Sequence, residues 1–328
     1  MLVCRTIDEL RRARRDDPTP RHLVGFVPTM GALHAGHMTH VPLVREALLQ
    51  RQPADPQADP AVWVSIFVNP TQFGPHEDFQ NYPRTLDDDL DRCRAAGVTG
   101  VFAPDPADIY PPGQPDAAID IPDLAHTLEG AARPGHFAGV CRVVLKLINL
   151  VEPGLVTLSR KDYQQLLVCT AMLRDLFVPT GLCVVPTHRE PDGLAMSSRN
   201  AYLTDNQRPA ALGLARALAE ARHTINQSPH TTPAELETLM AHTAAAHGFT
   251  LDYAAIRHPD TLQPLDSLDA PTHPTSTTNP VALLAGRLPG SDPSTTSPRL
   301  IDNAPLFGPD PLDHFHGLVA ATTGSALP

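Results

Sequence analysis

Residues 23 to 28 (Leu-Val-Gly-Phe-Val-Pro) and 61 to 68 (Ala-Val-Trp-Val-Ser-Ile-Phe-Val) are short, nearly continuous apolar runs. Such runs mark strands covered on both faces in a parallel sheet. The stretch 36 to 50 between them has helical character, with Pro42 expected to bend the helix or delay its regular part. The polar run 51 to 60, with three prolines, reads as a surface loop. The alternation continues with a helix at about 85 to 96, a strand at 98 to 102, a helix at 138 to 151, a strand near 154 to 158, a helix at 161 to 177 and a strand at 181 to 186. It predicts an α/β fold, a Rossmann-like doubly wound parallel sheet with ligands at the carboxyl ends of its strands. From 205 the character changes. Ala- and Leu-rich helices at about 206 to 226 and 232 to 247 precede strands near 251 to 257 and 280 to 285, which predicts a smaller C-terminal α+β domain. The expected division is 1–187, 188–303 and a flexible tail over 304–328, with 263 to 298 rich in loops.

Composition narrows the function classes. A chain of 328 residues, 42% hydrophobic and 19% charged, is neither a disordered tail nor a disulfide scaffold. The net charge is -11 and the arginines are scattered, so no nucleic-acid-binding face is advertised. Five widely spaced cysteines form no CxxC pair, the usage expected of reduced thiols in a cytoplasmic protein. No run of about 18 apolar residues occurs, so no membrane segment is expected. Lysine is scarce. Only Lys146 and Lys161 occur among the 25 basic residues, so any chemistry that needs a lysine must use one of these two.

Four segments could carry chemistry. In the first, Pro28-Thr29-Met30-Gly31-Ala32-Leu33-His34-Ala35-Gly36-His37 reads as a strand end, a tight turn and a helix start. Gly31 and Gly36 let backbone approach phosphate, and His34 and His37, three apart, would share a helix face and donate to an α-phosphate. His40 continues the spacing, but on a continuous helix it points away from His34, which disfavours a metal site. The second is Asn69-Pro70-Thr71-Gln72-Phe73-Gly74, after a buried strand, in which Gln72 could grip both a hydroxyl and a carboxylate. Asp87, Asp88 and Asp89 follow, either a dipole-friendly first helical turn or a magnesium site. In the third, Ser159-Arg160-Lys161-Asp162-Tyr163-Gln164-Gln165, Lys161 suits a phosphate, Asp162 a ribose or a helix cap, and Gln165 lies one turn further on. The fourth, Arg189 to Asn200, carries Met196-Ser197-Ser198-Arg199, a loop able to close on phosphate oxygens.

In this order and spacing, with Arg133-Pro134-Gly135-His136-Phe137-Ala138-Gly139-Val140 between the second and third, the segments resemble the pantothenate synthetases, the pantoate–β-alanine ligases, from about residue 1 to Asn303. The resemblance implies the HIGH-type nucleotidyltransferase fold and ATP-dependent joining of (R)-pantoate to β-alanine through pantoyl adenylate, with magnesium on the phosphates and release of AMP and pyrophosphate. It implies a homodimer. His34 and His37 would stabilise adenylation, with His37 the proton donor, and Lys161 would neutralise phosphate charge. Met30, Gly31, His34, Gly36, His37, Ser159, Arg160, Lys161, Asp162, His188, Met196, Ser197, Ser198 and Arg199 would line the ATP site. Gln72 and Gln165 would hold pantoate, Gln72 would also lie near β-alanine, and Asp88 and Asp89 would be the metal candidates. This chain departs from the family at Leu158-Ser159-Arg160, where Phe-Gly-Glu or Phe-Gly-Gln is usual, at His188, at Pro42 and His40, and in a longer hairpin over 286 to 298. The alternatives are another HxGH nucleotidyltransferase, disfavoured by the two glutamines, and a non-catalytic nucleotide-binding relative, suggested by Ser159.

Overall fold

A computed structural model describes residues 1–51, 59–75, 77–268, 279–290 and 299–310. Most of the expected loop over 51 to 60, half of the 263 to 298 region, most of the longer hairpin over 286 to 298 and the tail beyond 310 therefore lie outside the described residues. The chain divides into two compact units. The first comprises 1–126 and 133–186, and the second 127–132 and 187 onward.

The first unit contains six parallel strands, β1 (Leu2–Cys4), β2 (Val24–Thr29), β3 (Ala61–Ile66), β4 (Gly100–Phe102), β5 (Leu155–Ser159) and β6 (Gly181–Val185), in the order β1-β4-β3-β2-β5-β6. Its helices are α1 (Ile7–Asp16), α2 (Ala35–Met38), α3 (His40–Arg51), α4 (Leu86–Ala95), α5 (Pro106–Ile109), α6 (Pro122–Ala125), α8 (His136–Val151) and α9 (Tyr163–Asp175); α7 (Leu128–Ala132) belongs to the second unit. Alternate residues of each central strand serve opposite faces. Val24, Phe26, Ala61 and Trp63 pack with α1, α8 and α9, whereas Val27, Val62 and Val64 pack with α3 and α4. Both faces are dry, which is why these strands read as unbroken apolar runs. The strand order reverses between β2 and β5, the kind of switch point outside which open α/β sheets bind their ligands.

Two local outcomes differ from the sequence reading. The helix expected over 36 to 50 is two helices, separated at Thr39, and Pro42 occupies the first turn of the second. Its missing N–H costs nothing there, because the first four amides of a helix have no partner within it. At the amino terminus, β1 and α1 were not foreseen. Three residues are too few to show a period, and α1 is arginine-rich, yet Thr6 and Glu9 form a capping box that a search for start signals would have found.

The second unit packs α10 (Gln207–Ala211), α11 (Gly213–Gln227) and α12 (Pro233–Ala246) against an antiparallel sheet of β7 (Thr250–Arg257), β8 (Val281–Arg287) and β9 (Arg299–Pro305). β9 begins just past the Pro/Ser/Thr-rich stretch and was not foreseen as a strand. Ala304 and Leu306 are fully buried in this core, inside the span that the sequence reading gives to the tail. A buried Arg189 donates to Asp302 from both terminal nitrogens (2.7 and 2.9 Å) and to the Gly193 carbonyl (3.0 Å). Glu129 of α7 accepts both terminal nitrogens of Arg299 (2.7 and 2.8 Å).

Candidate active site

β2 ends at Thr29, whose hydroxyl donates to the Ser65 carbonyl (2.6 Å) and accepts the Gly31 amide (3.2 Å). The chain then turns through two left-handed residues, Gly31 (φ +82°) and Ala32 (φ +48°). Alanine resists that conformation. It is held there by the Asp89 carboxylate of α4, which accepts the amides of Ala32 (3.0 Å) and Leu33 (2.7 Å) and the Thr85 hydroxyl (3.3 Å). A Cβ on Gly31 would come within 2.9 Å of Asp89 Oδ2, so glycine is required both by its φ and by this approach. The magnesium reading of Asp88 and Asp89 meets a different arrangement. Both Asp89 oxygens serve the loop, Asp88 is exposed, and among the described residues no three His, Cys, Asp or Glu side chains gather to hold a metal ion.

His34 precedes α2 in extended backbone (φ -133°, ψ 176°), and its amide donates to His37 Nδ1 (3.3 Å), with the two ring centres 4.0 Å apart. The pair thus meets through a backbone contact at the helix start instead of by sharing a helix face. Because Nδ1 accepts an amide proton, the neutral His37 ring carries its own proton on Nε2. Burial, with the nearby His34, His40 and Lys161, holds its pKa well below the ordinary 6.5. A neutral Nε2–H donates a hydrogen bond without surrendering its proton. The helical-wheel argument that turned His40 away does not apply, since the helix breaks at Thr39. His40 is buried with Nδ1 2.8 Å from the Thr157 hydroxyl of β5, and burial lowers its pKa to about 4.

After β3, Asn69 is 1% exposed and organises the next turn. Its Oδ1 accepts the Thr71 amide (3.3 Å), the Thr71 hydroxyl (3.0 Å) and the Tyr110 hydroxyl (2.9 Å). Its Nδ2 donates to the Gly139 carbonyl (3.1 Å) and to Gln72 Oε1 (3.0 Å). Gln72 Nε2 lies 3.1 Å from the Met30 sulfur, bringing the first two segments together. Beneath the turn, His136 Nδ1 donates to the Gln72 carbonyl (2.8 Å), and Arg133 donates to both oxygens of Glu77 (2.7 and 2.6 Å). Burial works to raise the Glu77 carboxyl, but Arg133 outweighs it and the pKa is lowered. Asn69 opens the second segment and Arg133 and His136 lie in the stretch quoted between the second and third, but the sequence reading gave none of them, nor Tyr110, a role in orienting Gln72.

At the end of β5, Ser159 Oγ accepts the Lys161 amide (3.2 Å) and caps the short 3-10 turn Arg160–Asp162. The extra side chain is thus folded into its own turn. Lys161 Nζ lies 3.5 Å from Asp162 Oδ1 and is close enough to His37 to depress its pKa. Of the two glutamines that follow, Gln164 is buried and donates to the Leu124 carbonyl (2.7 Å). Gln165 is half-buried, and its amide makes no hydrogen bond among the described residues.

His188, Met196, Ser197, Ser198 and Arg199 belong to the second unit. His188 is exposed, and its carbonyl accepts the Met196 amide (2.9 Å) in a small hairpin. Ser197 Oγ accepts the Arg199 amide (3.2 Å) and caps the short helix Ser198–Tyr202. Asn200 ties this turn back to Glu190 (2.8 Å) and to the Ala195 carbonyl (3.1 Å).

The family model described as pantoate-beta-alanine ligase matches residues 2–305. A pantothenate synthetase of Allorhizobium ampelinum is 48% identical over 273 residues, 83% of this chain and 90% of that protein. One from Chloroflexus aurantiacus is 45% identical over 82% of this chain and 90% of its own length. The pantothenate synthetase structure from Thermus thermophilus superposes with a TM-score of 0.80 at 40% identity, covering 94% of this chain and all of that one. A pantoate-beta-alanine ligase structure from Francisella tularensis, described as complexed with beta-gamma ATP and beta-alanine, gives a TM-score of 0.66 at 32% identity over 93% of this chain and 98% of that one.

Proposed function

Because the chain belongs to the pantoate–β-alanine ligase family, we propose that it joins (R)-pantoate to β-alanine at the expense of ATP. The pantoate carboxylate attacks the α-phosphorus of ATP, pyrophosphate leaves, and pantoyl adenylate forms. The β-alanine amine then attacks the acyl carbon and AMP departs. Activating the carboxylate as a mixed anhydride, and keeping water from it, overcomes its resistance to amide formation. Magnesium arrives with the ATP phosphates as part of the substrate.

The roles follow from the residues at the sheet's carboxyl edge. His37 Nε2–H, with His34 beside it, donates to α-phosphate oxygens as their charge shifts, acting as a hydrogen-bond donor in place of the proton donor that the resemblance implies. Lys161 supplies a compact positive charge close to those imidazoles. Met30, Gly31, Gly36, Ser159, Arg160 and Asp162 form the rest of the ATP wall. Gln72 offers its NH2 group, and Gln165 its unengaged amide, to the pantoate carboxylate and hydroxyls; Gln72 also lies near β-alanine. On the resemblance alone, we assign His188, Met196, Ser197, Ser198 and Arg199 to the nucleotide phosphates, and a cytoplasmic homodimer as the working form.

The single observation that carries the reading is the oriented Gln72 beside Met30, the residue that opens the histidine turn. AMP release should require ATP, magnesium, pantoate and β-alanine together, and omitting β-alanine should leave pantoyl adenylate to be trapped by mass spectrometry. Turnover that is unaffected by omitting pantoate would overturn the proposal.

A further inference from the structure

One face of α8 is turned toward the Asn69 to Gln72 turn. His136, Gly139 and Lys146, spaced by three and then seven, share that face. His136 holds the Gln72 carbonyl and the Gly139 carbonyl holds the Asn69 amide. Lys146 acts one step further out. Its ammonium donates to the Ile109 carbonyl (2.7 Å), lies 4.4 Å from the centre of the Tyr110 ring and is 3.6 Å from Asp116, which also pairs with Arg142 (2.9 Å). A cation over an aromatic face holds the ring in place. The Tyr110 hydroxyl so placed donates to Asn69 Oδ1.

That donation bears on the substrate contact. An asparagine amide can be turned end for end at no steric cost, and only its partners decide which end is oxygen. The Thr71 amide can only donate and the Gly139 carbonyl can only accept, so Asn69 Oδ1 faces Thr71 and its NH2 faces Gly139 and Gln72 Oε1; the Thr71 and Tyr110 hydroxyls add two further donors that pin the oxygen end in place. Gln72 then has its oxygen occupied, and its NH2, beside the Met30 sulfur, is the end left to donate to a carboxylate or hydroxyl acceptor. We propose that Tyr110, braced by Lys146, is a positioning residue that pins the Asn69 amide in place and thereby holds Gln72 as a donor to pantoate. The inference rests on the reading of Gln72 as a pantoate ligand.

Steady-state kinetics with Tyr110→Phe and, separately, Lys146→Met test it, with wild type and Gln72→Ala alongside. One net hydrogen bond is at stake, so Tyr110→Phe should raise the pantoate KM by about threefold to tenfold and leave the ATP KM within about twofold. Lys146→Met should act in the same direction and by less. In a Gln72→Ala background the Tyr110→Phe effect on pantoate should shrink to less than about twofold, because nothing remains to be oriented. A rise in ATP KM equal to that for pantoate, or an undiminished effect in the Gln72→Ala background, refutes the positioning role and assigns Tyr110 to general support of the fold. Wild-type protein that turns over without pantoate, or a Gln72→Ala variant with normal pantoate KM, instead refutes the underlying functional reading.

Discussion

Replacing Gly139 with alanine should separate helix stability from catalysis. An ideal Cβ at this position would lie 2.2 Å from the Thr71 carbonyl oxygen, 2.5 Å from its carbon and 2.8 Å from the Gln72 Cα. All three are backbone atoms, so no side chain can swing aside. Restoring ordinary contact requires the Thr71–Gln72 backbone and α8 to part by about 1.2 Å, which stretches the Asn69 to Gly139 hydrogen bond and carries Gln72 with it. Alanine favours the helix by about 1 kcal/mol, while overpacking costs about 1 to 3 kcal/mol, so the net loss of stability should be about 2 kcal/mol at most. A shift of about 1 Å in a positioning group can cost about 100-fold in rate, or about 2.7 kcal/mol of activation free energy. The loss should therefore appear in kcat/KM for pantoate, measured by pyrophosphate release, in a protein whose melting temperature moves by only a few degrees. A variant with wild-type kcat/KM for pantoate would refute the claim that this close approach holds the glutamine.

Three further outcomes can be checked. Asp89→Asn removes the charge that holds the Ala32 and Leu33 amides and should slow adenylation by about tenfold while the midpoint of a magnesium titration stays put; a shifted midpoint would place Asp89 on the metal. His40 is neutral when folded (pKa about 4) and protonates near 6.5 when unfolded, so the unfolded state binds the extra proton between those values. The stability it contributes is complete above pH 6.5 and is lost as the pH falls toward 4, up to about 3 kcal/mol; His40→Gln should flatten the melting temperature across that window, and an unchanged slope would show that other groups carry it. Asp302→Ala strands the buried Arg189 guanidinium and should destabilise the protein by about 3 to 5 kcal/mol in chemical denaturation; a loss below about 1 kcal/mol would mean that Arg189 finds water or another acceptor.

The sheet and the three loops at its carboxyl edge could be read from the sequence because they rest on local signals, such as the doubly covered strands at 24 to 29 and 61 to 66 and the histidine spacing. The groups that orient those loops could not. Asp89 is separated from Leu33 by 56 positions, Asn69 from Gly139 by 70 and Tyr110 from Asn69 by 41. A triple aspartate at a helix start is explained equally well by the helix dipole, and an Asn-Pro pair by a turn, so neither local string marks the residue as a hub. β9 was hidden behind a Pro/Ser/Thr-rich stretch, and α7 looks like any short helix until Glu129 is found gripping Arg299.

The two lysines also make the site chemically addressable. Lys161 stands beside the histidine pair and Lys146 beneath the tyrosine that orients the glutamine turn, with side chains 16% and 33% exposed. Apart from the terminal amine, an amine-acylating reagent has no other target in this chain. A brief pulse of such a reagent with and without ATP, read by peptide mass, would test the assignment of Lys161 to the nucleotide and report the state of the Tyr110 brace at Lys146 in one measurement, without any engineered label.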